Sequence, residues 1–280
     1  MFKRVSIVGL GLIGGSLGMA LKRGRIARSV IGFSRHERTI RRALARGAVN
    51  DADTELCPDW LGESDLVVIA TPPLTVVPIA REIARLTTHR FVMTDVASTK
   101  AQIVRQLERS LPARISFVGS HPMAGSEKSG IEAAHQDLFN GAPCVVTRTS
   151  KTNRAALARV SALWRSVGGR PMVLDPSRHD ALVARVSHLP HLTAVGLMLA
   201  AGKEPLILSA GGFADTTRIA LSDPRMWREI CLSNRKQITR ALRAFRKEIE
   251  RFEQLIRRGD GAALSRLFAS AQRKRRGLTK

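Results

Sequence analysis

The chain has 280 residues, of which 44% are hydrophobic, so it is long enough to bury the core of one large or two modest domains. We find no continuous apolar run near the roughly 18 residues that a membrane span needs, and no signal-peptide core at the N-terminus. Cys57, Cys144 and Cys231 are too few and too widely spaced for a disulfide framework. We therefore expect a cytoplasmic protein with no membrane partner.

The charge is strongly positive: 46 Lys and Arg face 23 Asp and Glu, for a formal net charge of +23. Such a balance favours anionic partners, although arginines on solvated helix faces give the same composition. Basic residues are spread along the chain except in the tail 273–276, and tyrosine, a common stacking residue for nucleic acids, is absent. We expect small anionic ligands and no nucleic-acid partner.

The first part of the chain alternates short β-branched runs with amphipathic helical stretches, a pattern typical of a parallel sheet covered by helices. Helices are predicted at Glu37–Arg46 and Arg154–Val167, each closed by glycine. The predicted strands are Val5–Val8, Val30–Phe33, Leu66–Ala70, Phe91–Asp95, Ile115–Gly119, Pro143–Thr147 and Pro171–Leu174. These elements predict an α/β domain over residues 1–175.

After Asp175-Pro176 the strand signal fades and helical periodicity takes over. Helices are predicted at Arg178–Ala201, Pro224–Arg258 and Gly261–Arg273. An apolar stripe at spacings of three and four follows the second of these: Leu242, Phe245, Ile249, Phe252 and Ile256. Such a stripe packs on another helix, within the domain or across a dimer. We predict an all-α domain over residues 176–280.

A glycine-rich turn follows the first predicted strand and opens a predicted helix. Gly9 permits a tight turn, Gly11 lets the backbone approach a pyrophosphate, and Gly14 allows close packing of helix on strand. The free N–H groups of the helix start, around Leu12 and Ile13, attract phosphate. We predict a dinucleotide site here and assign Thr71, which ends the third strand, to it.

The end of the second predicted strand bears on the choice between NADP and NAD. NAD-binding folds usually place Asp or Glu there, on the ribose hydroxyls. This chain has Ser34 and Arg35 instead, which suit a 2′-phosphate by hydrogen bonding and charge. The alternative is that Arg35 only begins a solvated helix. We predict NADP as the cofactor, with NAD less favoured.

Three later segments carry polar side chains suited to catalysis or binding: Gly119–Glu127, Ser187–His191, and Gly211–Arg218 with its continuation to Trp227. The first follows a predicted strand, at the carboxyl edge where open α/β sheets bind ligands. Ser187 and His191 lie one helical turn apart. Each segment alone also fits a structural role, such as a loop cap, a buried helix histidine or a surface cation.

Together with GLGLIGGS and DVASTK, the segments GSHPMAGSE, SHLPH and FADTTRIALSDPRMWREI closely resemble the prephenate/arogenate dehydrogenase family, in the order that the family has them. The resemblance implies a Rossmann-like dinucleotide-binding domain followed by an all-α helical dimerisation domain, and a homodimer. It also implies oxidative decarboxylation of prephenate or arogenate on the route to tyrosine. A metal is not expected, because no metal-ligand spacing occurs.

The resemblance also implies roles for single residues. His121 matches the catalytic histidine that takes the proton of the substrate C4 hydroxyl, and Ser98 matches a serine that orients this histidine and the nicotinamide. Arg218 matches an arginine that binds a substrate carboxylate. Ser187 and His191 match substrate-side residues on the helical domain. Glu127 matches an interdomain polar contact near the cleft, with Trp227 supporting the same region, and we assign both Ser126 and Glu127 to substrate binding.

Several alternatives stay open at this level. No single residue decides between prephenate and arogenate, which differ by a keto group and an ammonium group, although His191 weakly favours prephenate. A β-hydroxyacid dehydrogenase would share the architecture but use a catalytic lysine. A non-enzymatic NADP-binding regulator would not need His121.

Overall fold

The computed structural model describes residues 2–56, 58–125 and 128–278. Ser126 and Glu127, both assigned to the substrate site, and Cys57 lie outside the described residues. The chain falls into two compact units, residues 1–234 and 235–280. All remaining residues that we assigned to catalysis or binding belong to the first unit.

An eight-stranded sheet forms the centre of the first unit, in the order β3-β2-β1-β4-β5-β6-β7-β8. The strands are β1 (Phe2–Val8), β2 (Ala27–Phe33), β3 (Asp51–Asp53), β4 (Leu66–Ile69), β5 (Phe91–Asp95), β6 (Ile115–Pro122), β7 (Pro143–Thr147) and β8 (Arg170–Leu174). All seven predicted strands are present, and the predicted α/β class is confirmed. The short edge strand β3 was missed because its sequence, Asp-Ala-Asp, has no β-branched residue.

The sheet is not wholly parallel. Strands β1 to β6 run parallel, whereas β7 pairs antiparallel with β6, joining Ser120 to Val146 and His121 to Val145. The segment between β6 and β7 contains only a short 3-10 turn at Ile131–Ala133 among its described residues. Parallel neighbours need a crossover helix, so without one the chain returns in the opposite direction.

Helices alternate with the strands of this sheet along the chain, and further helices follow the last strand. Those before β8 are α1 (Leu12–Arg23), α2 (Glu37–Ala45), α3 (Pro58–Gly62), α4 (Val76–Leu86), α5 (Ala101–Ser110) and α6 (Arg154–Ser166). Those after it are α7 (Pro176–Val183), α8 (Leu189–Ala201), α9 (Gly211–Thr217), α10 (Pro224–Ser233), α11 (Arg235–Arg258) and α12 (Gly261–Arg276). No strand follows β8 in the part of the chain that the structure describes.

The helix predicted at Arg178–Ala201 starts earlier and contains a wider turn. Asp175 caps its first turn by accepting from Ser177 N and Arg178 N, with Pro176 at the first helical position. Residues Ala184–His188 form a π-helical turn between α7 and α8. Pro190 follows, and a proline inside a helix removes an N–H and clashes with the preceding turn. The wider π-helical turn leaves room for the Pro190 ring. Ser187 and His188 belong to this turn.

The prediction of one helix over Pro224–Arg258 was wrong, because the helix is interrupted at Asn234 (φ −115°, ψ 25°). The side-chain amide of Asn234 donates to Asp180 O at 2.9 Å and lies 3.3 Å from His188 Nδ1. These buried bonds hold Asn234 outside the helical conformation.

The second unit consists of α11 and α12, which contact each other. Phe252 and Phe268 pack with ring centroids 5.9 Å apart. Ion pairs one helical turn apart, such as Arg246 with Glu250, line the exposed face of α11. Phe252 of the predicted apolar stripe thus packs on another helix, while Leu242, Ile249 and Ile256 are exposed.

One helical stretch, residues 176–201, is long and apolar enough by length and composition alone to cross a membrane. We did not expect such a stretch, because the sequence has no continuous apolar run near the roughly 18 residues that a span needs. A core helix of a soluble protein passes the same test, so this is weak evidence for a span. Within unit 1, the same stretch carries the buried His179, Asp180, His188 and His191.

A buried ion pair lies at the carboxyl end of β5. Lys100 Nζ donates to Asp95, and both side chains are fully buried. Asp95 also accepts from Ala97 N and Ser120 N. Burial raises the pKa of Asp95 and lowers that of Lys100, while their mutual attraction opposes both shifts. The pair fixes the loop that leads from β5 to α5.

Replacing Lys100 alone leaves the Asp95 carboxylate buried without its counter-charge. We expect Lys100→Met to lower the free energy of unfolding by about 3–5 kcal/mol, measured by urea denaturation. The double variant Asp95→Asn, Lys100→Met removes both charges and should recover part of that loss. A single variant as stable as the wild type would contradict this account.

Candidate active site

The glycine turn between β1 and α1 forms an open cradle. Gly9 has φ +102°, and a Cβ there would lie 2.5 Å from Ala70 O. A Cβ on Gly14 would lie 1.9 Å from Gly9 O, whereas one on Gly11 would meet nothing within 4 Å. Gly9 and Gly14 are therefore required by close backbone contacts, and Gly11 leaves space for a ligand. This cradle, with the free N–H groups of Leu12 and Ile13, fits a dinucleotide pyrophosphate.

The end of β2 lies beside the end of β3 at the same edge of the sheet. Ser34 is half-buried, Arg35 is exposed, and Ser34 N donates to Asp53 O. The Asp53 carboxylate accepts from Glu55 N and from the Thr54 hydroxyl, so it is engaged in its own turn. Asp53, at the end of β3, is a carboxylate residue beside Ser34 that the sequence of β2 alone does not show.

His121 is near the end of β6, in the segment that the sequence analysis singled out, and is 8% exposed. Its Nδ1 lies 2.9 Å from Nε2 of His179, a fully buried histidine on α7. The two rings meet edge to face, with centroids 5.1 Å apart. His121 and His179 come from opposite sides of the predicted boundary at 175/176.

Asp180 anchors this pair of histidines. Its carboxylate accepts from Lys100 N at 2.8 Å and from Ala101 N at 2.9 Å, at the start of α5. The same carboxylate lies 2.9 Å from His179 Nδ1. A chain of hydrogen bonds therefore runs from the α5 backbone through Asp180 and His179 to His121.

The surroundings keep His121 neutral. Burial lowers its pKa well below the ordinary value of 6.5, and the nearby His179, Lys100 and His188 lower it further. A neutral imidazole has one nitrogen lone pair with which it can accept a proton. His121 is thus available as a base at neutral pH.

His188, in the π-helical turn, is buried beside Asn234 and meets Trp227 edge to face, with centroids 5.9 Å apart. Its Nε2 and the Trp227 Nε1 have no hydrogen-bond partner within the described part of the chain. His191, one turn further on, stacks on Trp227 with centroids 3.4 Å apart. Burial lowers the pKa of both His188 and His191 to about 4.

The structure shows direct contacts between some of the predicted site residues, and for others it shows only their position in the fold. Trp227 packs on His191, as a supporting role would require. Arg218 begins a 3-10 turn, Arg218–Leu221, that contacts α8, the helix of His191. Ser98 lies in the loop after β5, half-buried, and no hydrogen bond joins it to His121 among the described contacts. Ser187 is half-buried in the π-helical turn.

Helix α10 is tied to the loops after β4 and β5. Glu229 accepts from Leu74 N at 3.2 Å, and the Thr99 and Ser233 hydroxyls are 3.0 Å apart. These contacts place α10 beside the loops on which the cofactor and Ser98 were predicted to lie.

Several residues of this network were not identified from sequence. His179 and Asp180 were overlooked although a His-Asp pair in the first turn of a helix is a recognisable signal. Lys100 lies in the motif DVASTK and His188 in the motif SHLPH, but neither residue was assigned a role from the sequence. Asn234 carried no signal, because it sits inside a stretch with continuous helical periodicity.

No cluster of side chains that could hold a metal ion occurs in residues 2–56, 58–125 and 128–278. The fold and the glycine cradle, with a neutral buried histidine on β6, define a dinucleotide-dependent oxidoreductase. Comparison with known proteins identifies the family.

The nucleotide-binding domain of prephenate dehydrogenase matches residues 17–173, and the dimerization domain of prephenate dehydrogenase matches residues 175–270. A prephenate dehydrogenase of Bacillus subtilis is 35% identical over 98% of this chain and 76% of its own length. A cyclohexadienyl dehydrogenase of Zymomonas mobilis is 33% identical over 99% of this chain and 97% of its own.

Among solved structures, a prephenate dehydrogenase from A. aeolicus in complex with hydroxyphenyl propionate and NAD+ has a TM-score of 0.93. The two chains are 33% identical, and the match covers 99% of each. The chain belongs to the prephenate dehydrogenase family.

The histidines of the site make the stability of the fold depend on pH. The unfolded chain binds protons near the ordinary imidazole pKa of 6.5, whereas folded His188 and His191 bind them only near 4. The free energy of unfolding should therefore be highest above 6.5 and fall as the pH drops towards 4. Urea denaturation between about pH 6.5 and pH 5, where most carboxylates stay ionised, tests this. Unchanged or rising stability on acidification would contradict it.

Proposed function

We propose that this protein catalyses the oxidative decarboxylation of prephenate to 4-hydroxyphenylpyruvate, with NADP as the hydride acceptor, in tyrosine biosynthesis. The observation that carries the proposal is the neutral, buried His121 near the end of β6, in a chain that also has the dinucleotide cradle. Family membership and the names of the relatives support the same reaction. We propose a domain boundary at 175/176, and action in the cytoplasm.

His121 acts as the general base. It takes the proton of the C4 hydroxyl while the C4 hydrogen leaves as hydride and the bond to the C1 carboxylate breaks. The electron pair of that bond enters the ring, CO₂ departs, and the oxygen at C4 regains a proton as the phenol. The bound nicotinamide supplies the hydride acceptor.

The other assigned residues hold the reactants. Arg218 binds a substrate carboxylate, and we assign Ser187, His191, Ser126 and Glu127 to substrate binding. Ser98 orients His121 and the nicotinamide ring. The cradle residues are Gly9, Gly11, Leu12, Ile13, Gly14 and Thr71. The position of Arg218 beside the helix of His191 supports a shared substrate site.

Arogenate is the second candidate substrate, and the cyclohexadienyl dehydrogenase among the relatives favours testing it. The two substrates differ only in the side chain remote from C4, so His121 serves both in the same way. The ratio of kcat/KM for prephenate and arogenate decides between them.

We also propose a homodimer. The family match includes a dimerization domain over residues 175–270. Large apolar side chains in that range are highly exposed in the single chain, among them Val186, Leu199, Ile207, Leu208 and Leu221. An apolar surface of this kind is typical of a protein interface.

Removing the base should stop the reaction without unfolding the protein. We expect His121→Asn to lower kcat by about 10²–10⁴-fold with prephenate and NADP, with a smaller change in KM. NADPH formation at 340 nm measures the rate, and thermal unfolding checks the fold. Full activity in the variant, or no turnover of prephenate or arogenate by the wild type, would refute the proposed function.

The NADP preference is attributed to Ser34 and Arg35. Losing a charge-assisted bond to the 2′-phosphate costs roughly 1.5–3 kcal/mol, so Arg35→Ala should raise the Kd for NADP about tenfold or more. Its Kd for NAD should change little. Arg38→Ala, three residues further on in the first turn of α2 and also exposed, is the matched control. Tighter binding of NAD than NADP by the wild type, measured by calorimetry, would overturn the preference.

A further inference from the structure

The direction of the hydrogen bonds between Asp180, His179 and His121 can be inferred from which atoms are able to donate, starting at the Asp180 carboxylate. Both Asp180 oxygens already accept main-chain N–H groups, from Lys100 and Ala101. A carboxylate that accepts these bonds also accepts the third, so the ring Nδ1 of His179 supplies the proton in the 2.9 Å contact.

The same reasoning identifies the donor in the hydrogen bond between His179 and His121. A neutral imidazole has a single N–H, so when His179 Nδ1 donates to Asp180, its Nε2 accepts. The bond to that Nε2, 2.9 Å long, must then be donated by His121 Nδ1. With its proton on Nδ1, neutral His121 keeps the lone pair on Nε2.

We propose that His179 and Asp180 are positioning residues that hold His121 in the Nδ1–H tautomer, so that Nε2 is the atom that accepts the substrate proton. This inference rests on the proposed function, because it specifies how the base of that reaction is prepared. The opposite direction, with His179 Nε2–H donating to His121 Nδ1, would place a proton on His121 Nε2 and leave no base.

The arrangement also stabilises the charged intermediate state. When Nε2 takes the proton, His121 becomes a cation whose Nδ1–H already points at an acceptor. The Asp180 carboxylate is bonded to the other side of the His179 ring. Its negative charge therefore stabilises the positive charge of His121 across that ring, without a direct contact between the two. Dipoles arranged in advance stabilise developing charge at little reorganisation cost.

Asp180 links this chain to the scaffold. Its bonds to Lys100 N and Ala101 N cap α5, and Asn234 donates to its main-chain oxygen from the end of α10. The position of His179, and with it the tautomer of His121, is thus fixed by two helices and the β5–α5 loop.

The first test is spectroscopic and does not depend on turnover. In ¹⁵N-labelled enzyme at neutral pH, the His121 ring should show a protonated Nδ1 and an unprotonated Nε2, assigned by comparison with His121→Asn. In His179→Phe, which keeps an aromatic ring but removes the acceptor, the proton should redistribute towards Nε2. A wild-type His121 with its proton on Nε2 would overturn the proposal.

The second test separates a positioning role from a packing role. His179→Phe should lower kcat about 10²-fold with KM nearly unchanged, because the substrate contacts remain. His179→Gln, whose amide oxygen can accept from His121 Nδ1, should recover part of kcat. His89→Phe, a matched exchange before β5, should leave kcat unchanged. Equal kcat in His179→Phe and wild type, or equal loss in the Phe and Gln variants, would contradict the inference.

The two tests also separate this inference from the proposed function. A wild type without turnover of either substrate refutes the reaction, whatever the tautomer. An active wild type with an Nε2-protonated His121 refutes only the positioning role.

Discussion

The site depends on the buried carboxylate of Asp180, which accepts two main-chain N–H groups at the start of α5 and a ring N–H from His179. A buried charge is tolerated only where several donors satisfy it, and here those donors belong to different elements. The loop after β5, helix α7 and strand β6 are therefore held in one relative arrangement. Without it, His121 would be an isolated buried histidine with no defined tautomer.

A second buried charge stands close to the first. The Asp95–Lys100 pair joins the two ends of the β5–α5 loop, and the positive charge of Lys100 helps to lower the pKa of His121. The loop thus both fixes the path of the chain and sets the electrostatic surroundings of the base. The histidine stays neutral because burial and neighbouring groups act in the same direction.

Local patterns predicted much of the fold. The glycine turn was predictable because tight backbone contacts at Gly9 and Gly14 exclude every other residue type. The central strands, such as β4, were predictable because buried parallel strands are continuous runs of β-branched and other apolar residues. His121 was predictable because it stands near the carboxyl end of a strand, at the edge where such sheets bind ligands, and because its motif resembles that of a known family.

The remainder depends on contacts between residues distant in sequence. Asp180 meets Lys100 across 80 positions, and His179 meets His121 across 58, so no local pattern encodes either bond. The interruption at Asn234 has the same origin, because helical periodicity continues through it and only its bonds to Asp180 and His188 end the helix. The antiparallel pairing of β7 with β6 is likewise a contact between distant residues, and the described residues between these strands contain only a short 3-10 turn.

The most direct measurement of the central claim is a crystal structure of the protein with NADP⁺ and 4-hydroxyphenylpyruvate. The account predicts that the 4-hydroxyl oxygen lies within hydrogen-bond distance of His121 Nε2, while His121 Nδ1 keeps its bond to His179. A product bound away from His121, or an imidazole turned so that Nε2 faces His179, would contradict it.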